Sequence, residues 1–329
     1  MQKVFKLLLA LLVALIVFAG VGVLLVYRWY VQPVNSSDQE LRTFVIPQAQ
    51  ATSIIGERLY KEGFIRHHLL FRVAVYLEDL SGKIQAGSFE ISPSMTPAEI
   101  AHKFTQGTHD VWITIVEGWR MEQIAESLAA ADLPLFDADE FKRLVSQNQA
   151  EGTLFPDTYL VPKQYTSEQI YSLLTNTFEK RVLNDLAAQI EASPYTLNQI
   201  IVMASLIERE AREYEEMRGV AGVLWNRIEI GMPLQVDATM QYAKGYDSVQ
   251  QTWWAPPRAA DKSVDSPFNT YQINGLPPRP IANPGLNAIK ATLDPIPTKN
   301  LFYIHDRSGK IHYAETLEGH NANVNRYLR

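Results

Sequence analysis

Residues 197–207, Leu-Asn-Gln-Ile-Ile-Val-Met-Ala-Ser-Leu-Ile, spread apolar side chains around the whole circumference of a helix. A helix without a polar face is buried, so this run demands a domain large enough to surround it. Two carboxylates, Glu208 and Glu210, close the run with Arg209 between them. At 100° per residue Glu208 falls within about 20° of Ile201, and Glu210 lies on the opposite side with Met203. At most one of them faces a shared cleft floor. A carboxyl on an apolar wall keeps its proton to higher pH and can donate it near neutrality. Breaking a glycosidic bond needs such a donor. The competing reading is structural: both glutamates mark where the helix leaves the core and meet arginines such as Arg209 and Arg212.

A second apolar run lies near the N-terminus. Leu7–Val26 is 20 residues without charge or proline. At ~1.5 Å per residue such a helix matches the ~30 Å hydrocarbon core of a bilayer. Lys3 and Lys6 precede it and Arg28, Trp29 and Tyr30 follow, a pattern that favours an N-terminus-in orientation. A cleaved leader would have a shorter apolar region and a small-x-small site behind it. Tyr27-Arg28-Trp29-Tyr30-Val31 offers no such site. The expectation is an uncleaved transmembrane helix holding the rest of the chain outside the cytoplasmic membrane.

The remainder is long enough for two domains. The 329 residues include no cysteine, so there is no disulfide framework and no thiolate metal site. A net charge of −6 without a long basic stretch argues against nucleic acid as the partner. The seven histidines show no His-Glu-x-x-His pattern, and His67 and His68 would point apart on a helix. No metal and no cofactor is expected.

Residues 31–43 read as a tether behind a cytoplasmic tip and anchor at 1–30. A small α/β unit follows at 44–110, with strands at Phe44–Ile46 and Ala86–Ile91 and helices at Ala51–Glu62 and Arg66–Tyr76. Thr96 caps a further helix with Pro97 at its first position. Val111–Val116 is a third strand, and the larger domain runs over 111–329. There, Thr166-Ser167-Glu168-Gln169 is a capping box ahead of a helix with Ile170, Leu174, Phe178 and Val182 on one face. Tyr214–Ile230 is another amphipathic helix, stopped by Gly231. Ser248–Pro267 reads as a surface loop, and Leu301–His305 with Lys310–Ala314 as a hairpin.

Four polar groups of residues stand out beside the Glu208 segment: Gln235-Val236-Asp237, Asn269-Thr270-Tyr271, Gly275–Gly285, and His320-Asn321. Amides and hydroxyls on rigid turns suit a sugar-binding cleft, because each sugar hydroxyl needs a paired donor or acceptor. Each also has a plainer reading. Asp237 is a natural N-cap for the helix beginning at Ala238, Asn283 an N-cap ahead of Pro284, and Pro277-Pro278 a stiffener.

Taken together these segments resemble the YceG-like family of membrane-anchored endolytic murein transglycosylases. The resemblance rests on Ser205–Glu210, Asn226-Arg227 with Gly231–Asp237, Asn269-Thr270-Tyr271, and Gly275–Gly285. Glu117-Gly118-Trp119-Arg120 and Phe155-Pro156-Asp157-Thr158-Tyr159 match in pattern and order, so the resemblance covers essentially the whole chain. Arg279 and Ala238 depart from the glycine and proline common at those places, which bears on the fine shape of the cleft.

The resemblance implies an α+β (mixed α/β) protein: an N-terminal transmembrane helix, a small LysM-like α/β subdomain, and a larger catalytic domain with a buried helix and mixed strands. It implies a bacterial cytoplasmic (inner) membrane location with the catalytic domain outside. The implied substrate is peptidoglycan, cut within glycan strands at the MurNAc-GlcNAc β-1,4 bond to give 1,6-anhydroMurNAc ends. The implied catalytic acid is Glu208, the first glutamate of the segment. Gln235, Asp237, Asn269, Tyr271 and Glu210 are the supporting, substrate-binding residues. Peptidoglycan synthases (penicillin-binding proteins) and the division or elongation machinery are the implied partners. Two alternatives stay open. One is a lysozyme-like hydrolase pairing Glu208 with Asp237 or Glu210; the other is a membrane-tethered, inert peptidoglycan-binding scaffold.

Overall fold

The computed structural model describes residues 13–22, 28, 31–47, 49–107 and 110–329. The chain divides into two compact units, Met1–Trp112 and Ile113–Arg329. Helices and small two-stranded sheets together make it an α+β protein.

The described part of helix α1 covers residues 13–22. No helix among the described residues is long and apolar enough to cross a membrane. This corrects the expectation of a single-pass anchor and of the location built on it. The rest of the Leu7–Val26 run, with Trp29 and Tyr30, lies outside the described residues.

In the first unit, β1 (Arg42–Ile46) pairs antiparallel with β2 (Gly87–Ile91), Phe44 opposite Phe89. Alternation along both strands sends Phe44, Ile46, Phe89 and Ile91 inward. Helices α2 (Thr52–Lys61), α3 (His68–Leu77) and α4 (Pro97–Lys103) supply Ile55, Leu59, Phe71 and Ile100 to the same core. Phe104, directly behind α4, stacks on Phe44 with centroids 5.6 Å apart. Thr96 and Glu99 close the capping box at the start of α4, satisfying two otherwise orphaned amides. Residues before β1 are bonded to this unit: Asn35 N–H donates to Pro93 O, and Ser94 N–H to Asp38 O. His67 and His68 do not point apart; their rings stack at 4.2 Å. His67 is the extended N-cap residue of α3 rather than part of it, so helical spacing does not separate the pair.

In the second unit α5 (Met121–Ala129), α6 (Ala138–Gln147), α7 (Ser167–Phe178) and α8 (Ala187–Ala192) come first, and the helix expected from 197 onward is α9, Leu197–Glu210, which continues through both glutamates. Thr196 and Gln199 form its capping box. Every residue from Ile200 to Ile207 is buried. Helix α10 (Tyr214–Glu229) and helix α12 (Leu286–Leu293) pack along α9, and α11 (Asp237–Lys244) meets it as well. Ser205, the one hydroxyl in the buried run, donates to Val202 O and accepts the Ile281 N–H. That bond seats the segment 281–285 on α9. Trp225 of α10 stacks flat on Tyr195 and donates its indole N–H to Thr292 O.

The third expected strand is β3 (Asp110–Thr114), but its partner is β4 (Thr158–Pro162). The hairpin at the C-terminal end is β5 (Phe302–His305) and β6 (Ile311–Ala314), with Tyr303 opposite Tyr313. Helix α13 (Leu317–Tyr327) lies on it, bringing the His320 ring to 5.3 Å from Phe302. Arg227 ties α10 to the base of the hairpin by donating to Leu234 O and Leu301 O, both at 2.6 Å.

Candidate active site

The last turn of α9 sends Glu208 and Glu210 to different surroundings, as the helical spacing requires. Glu208 turns toward the start of α12. Its Oε2 accepts the Gly285 N–H at 2.9 Å. The carboxyl of Glu117 also sits against Gly285. Burial pushes the Glu208 carboxyl up to about 7; the Gly285 bond opposes the rise, and the Glu117 charge adds to it.

Glu210 turns the other way and lines a cavity of about 590 Å³. Gln235, Asp237 and Tyr271 line the same cavity, joined by Arg227, Lys262, Tyr303 and His320. Tyr303 donates its hydroxyl to Glu210 Oε2 at 2.8 Å, and Tyr271 donates to Asp237 Oδ1 at 2.7 Å. Burial raises Glu210 to about 7 against the Tyr303 bond, while Asp237 raises it and Arg209 and Arg227 lower it. Burial likewise holds the Tyr271 and Tyr303 phenols protonated well past neutral pH. His320 is pushed down by burial and by the Arg227 charge, so its imidazole is neutral near pH 7.

Four of the six residues singled out in the sequence thus meet in one cavity: Glu210, Gln235, Asp237 and Tyr271. Gln235 reaches it from a left-handed backbone, φ 52°, a conformation uncommon outside glycine. Thr270 holds that turn by accepting the Gln235 N–H on its carbonyl and the Val236 N–H on its hydroxyl. Asn269 does not reach the cavity. It is fully buried, donating to Lys262 O and Val264 O and accepting the Tyr271 N–H. It sets the loop that presents Lys262 and Tyr271.

Two capping expectations are corrected. The N-cap of α11 is Val236, and Asp237 is its first residue with its carboxylate turned to Tyr271. Helix α12 starts after Gly285, without a side-chain cap. Asn283 instead accepts the Gly152 and Leu154 N–H groups and donates to Trp119 O and Glu151 Oε1. That last partner carried no signal in the sequence. Glu151 is buried, and burial together with the Glu122 charge raises its carboxyl to about 8.

Residues 44–326 match the family description YceG-like family. The chain belongs to the YceG-like family. Two relatives carry the name endolytic murein transglycosylase. That of Streptococcus pneumoniae is 27% identical over 89% of this chain, and that of Bacillus subtilis 28% identical over 93%. The chain spans 59% of the streptococcal relative's length and 90% of the Bacillus one. The crystal structure of a yceG-like protein from Listeria monocytogenes superposes with a TM-score of 0.55 at 28% identity, covering 86% of this chain and 99% of that one.

Proposed function

We propose that this YceG-like protein is an endolytic peptidoglycan lytic transglycosylase, a lyase that cuts within glycan strands. The names of its streptococcal and Bacillus relatives support the reaction class. One observation carries the site: Glu210 shares its cavity with Gln235, Asp237 and Tyr271. On that ground Glu210 takes the acid role that the family motif assigned to Glu208, and Glu208 serves to hold the start of α12.

The reaction then needs one carboxyl. Protonated Glu210 gives its proton to the oxygen between N-acetylmuramic acid and the next N-acetylglucosamine, and the bond from C1 to that oxygen breaks. The muramic acid 6-hydroxyl attacks C1 of the same sugar while the Glu210 carboxylate takes the hydroxyl proton. The enzyme returns to its starting protonation and the product ends in a 1,6-anhydro ring. An intramolecular nucleophile has a high effective concentration and outruns water without a second base. Gln235, Asp237 and Tyr271 supply donors and acceptors for acetamide and hydroxyl groups. The β1–β2 unit with its three helices fits a LysM-like role in holding the strand.

Mass analysis of the fragments released from purified peptidoglycan tests the reading. Anhydro ends, one water lighter than reducing ends, support it. Reducing ends identify a hydrolase instead, and uncut strands identify a binding scaffold. Retained cleavage by Glu210→Gln with loss in Glu208→Gln moves the acid to the Glu208 and Glu117 side.

A further inference from the structure

We propose that Tyr303 is a positioning residue for the reaction: its hydroxyl occupies Glu210 Oε2 and leaves Oε1 as the oxygen that gives and retakes the proton. The inference rests on Glu210 being the acid and specifies how that acid is aimed. The motif segments do not include Tyr303, which lies 93 residues from Glu210 in sequence.

The geometry is built for a fixed donor. Tyr303 sits mid-strand in β5, paired with Tyr313 of β6. Leu301, at the foot of that strand, is held by the Arg227 guanidinium and by its own N–H to Ala314 O. The phenol therefore meets the carboxyl from a rigid element rather than a loop, at 2.8 Å. No described residue donates to Oε1. Because burial keeps the Tyr303 proton in place, the hydroxyl remains a donor in both states of Glu210. A carboxyl with one oxygen so engaged cannot rotate freely, and its proton is confined to the other oxygen.

Other charged and titratable groups reach the same carboxyl. Asp237 comes from α11, Arg227 from α10, and Arg209 from α9 itself. Tyr271, Lys262, His305 and His320 line the same cavity, the His305 ring 6.0 Å from that of Tyr303. All of these stay in place when only the Tyr303 hydroxyl is changed, so its effect can be isolated. A donor to the carboxylate favours the ionised form; removing it makes Glu210 hold its proton more tightly.

The test compares pH profiles of strand cleavage by the full chain. In Tyr303→Phe the alkaline limb should move up by about one pH unit, the scale of one hydrogen bond to a charged group. Turnover on the acid side should fall about tenfold with KM little changed, because orientation and not binding is lost. Site-specific 3-fluorotyrosine at position 303, a stronger donor of nearly the same shape, should move the limb down. Opposite movements are not produced by a merely structural role. If Tyr303→Phe does not fold, the fluorinated protein carries the test alone. A limb that stays at the wild-type position in every folded variant overturns the inference while leaving Glu210 as the acid. Near-native cleavage by Glu210→Gln overturns both.

Discussion

Glu208 and Glu210 stand two residues apart on α9 and bond to opposite sides of it, Glu208 to the Gly285 N–H and Glu210 to the Tyr303 hydroxyl. Both carboxyls are raised to about 7, chiefly by burial. Proton affinity alone does not tell them apart. Their partners do: one carboxyl is spent on the backbone of α12, while the other opens on a cavity with Asp237 and Tyr271.

Glu210→Gln should therefore lose ~10²-fold or more in cleavage, the usual scale for a general acid. Glu208→Gln should keep most of its activity, because the glutamine carbonyl still accepts the Gly285 N–H. Rates of anhydro-end formation, with circular dichroism to establish folding, measure both. The reverse ranking would transfer the acid role to Glu208.

The pH response follows in sign from the same group. Glu210 must start protonated, so cleavage is fullest below about 7 and falls as pH climbs through that value. The Glu210 proton is lost there before the substrate can use it. A rate that stays level from pH 6 to pH 9, with the fold intact, would remove a carboxylic acid from the rate equation.

Part of this cavity's lining was legible in the sequence. The apolar circumference of residues 197–207 demands burial, and helical spacing alone parts the two glutamates. Gln235, Asp237 and Tyr271 were readable as motif residues, and the hairpin as a hairpin. What was not legible is which glutamate the others surround. That is decided by Tyr303, carried on β5 far along the chain and outside every motif, which bonds Glu210 in the cavity that His320 also lines. Asn283 shows a second limit. Asn-Pro is a sound helix-start signal, yet here the amide meets Gly152, Leu154, Trp119 and Glu151, and the helix begins later. The Leu7–Val26 reading rested on composition in a window, and no helix among the described residues is long and apolar enough to cross a membrane.

Two glycines are needed for close approach. At Gly222, inside α10, a Cβ would run into the Ile296 carbonyl oxygen, which is fixed backbone. At Gly152, φ is +90° and a Cβ would lie 2.6 Å from Pro280 and 2.9 Å from Ile201. Alanine at either position should destabilise by about 1–3 kcal/mol, the scale of overpacking, with backbone strain added at 152. Denaturant melts of the two variants check this. An unchanged midpoint in Gly152→Ala would mean that Pro280 and Ile201 yield without cost.

Tyr271→Phe separates binding from proton transfer. It removes the hydroxyl that Asp237 accepts at 2.7 Å and leaves a carboxylate facing the cavity without that donor. If Asp237 and Tyr271 serve the substrate, KM should rise several-fold while the alkaline limb set by Glu210 stays close to its place. A large movement of the limb with KM unchanged would show instead that this pair acts through Glu210.

Glu151 gives a stability prediction independent of catalysis. Its carboxyl is buried, accepts the Met121 N–H and the Asn283 amide, and is raised from 4.5 to about 8. Because the folded value is the higher one, the folded state holds a proton that the unfolded chain releases between those two pH values. The contribution is fully present below pH ~4.5 and is lost as pH rises through about 8. Glu151→Gln keeps the acceptor for both bonds and cannot titrate. Its unfolding free energy should therefore fall less steeply than that of the wild type between pH 5 and pH 8, by an amount on the order of a few kcal/mol over the window. Denaturant titrations at several pH values measure the slope directly. The same slope in both proteins would place the titration elsewhere, with Glu208 and Glu210 the next carboxyls to examine, since burial raises both to about 7.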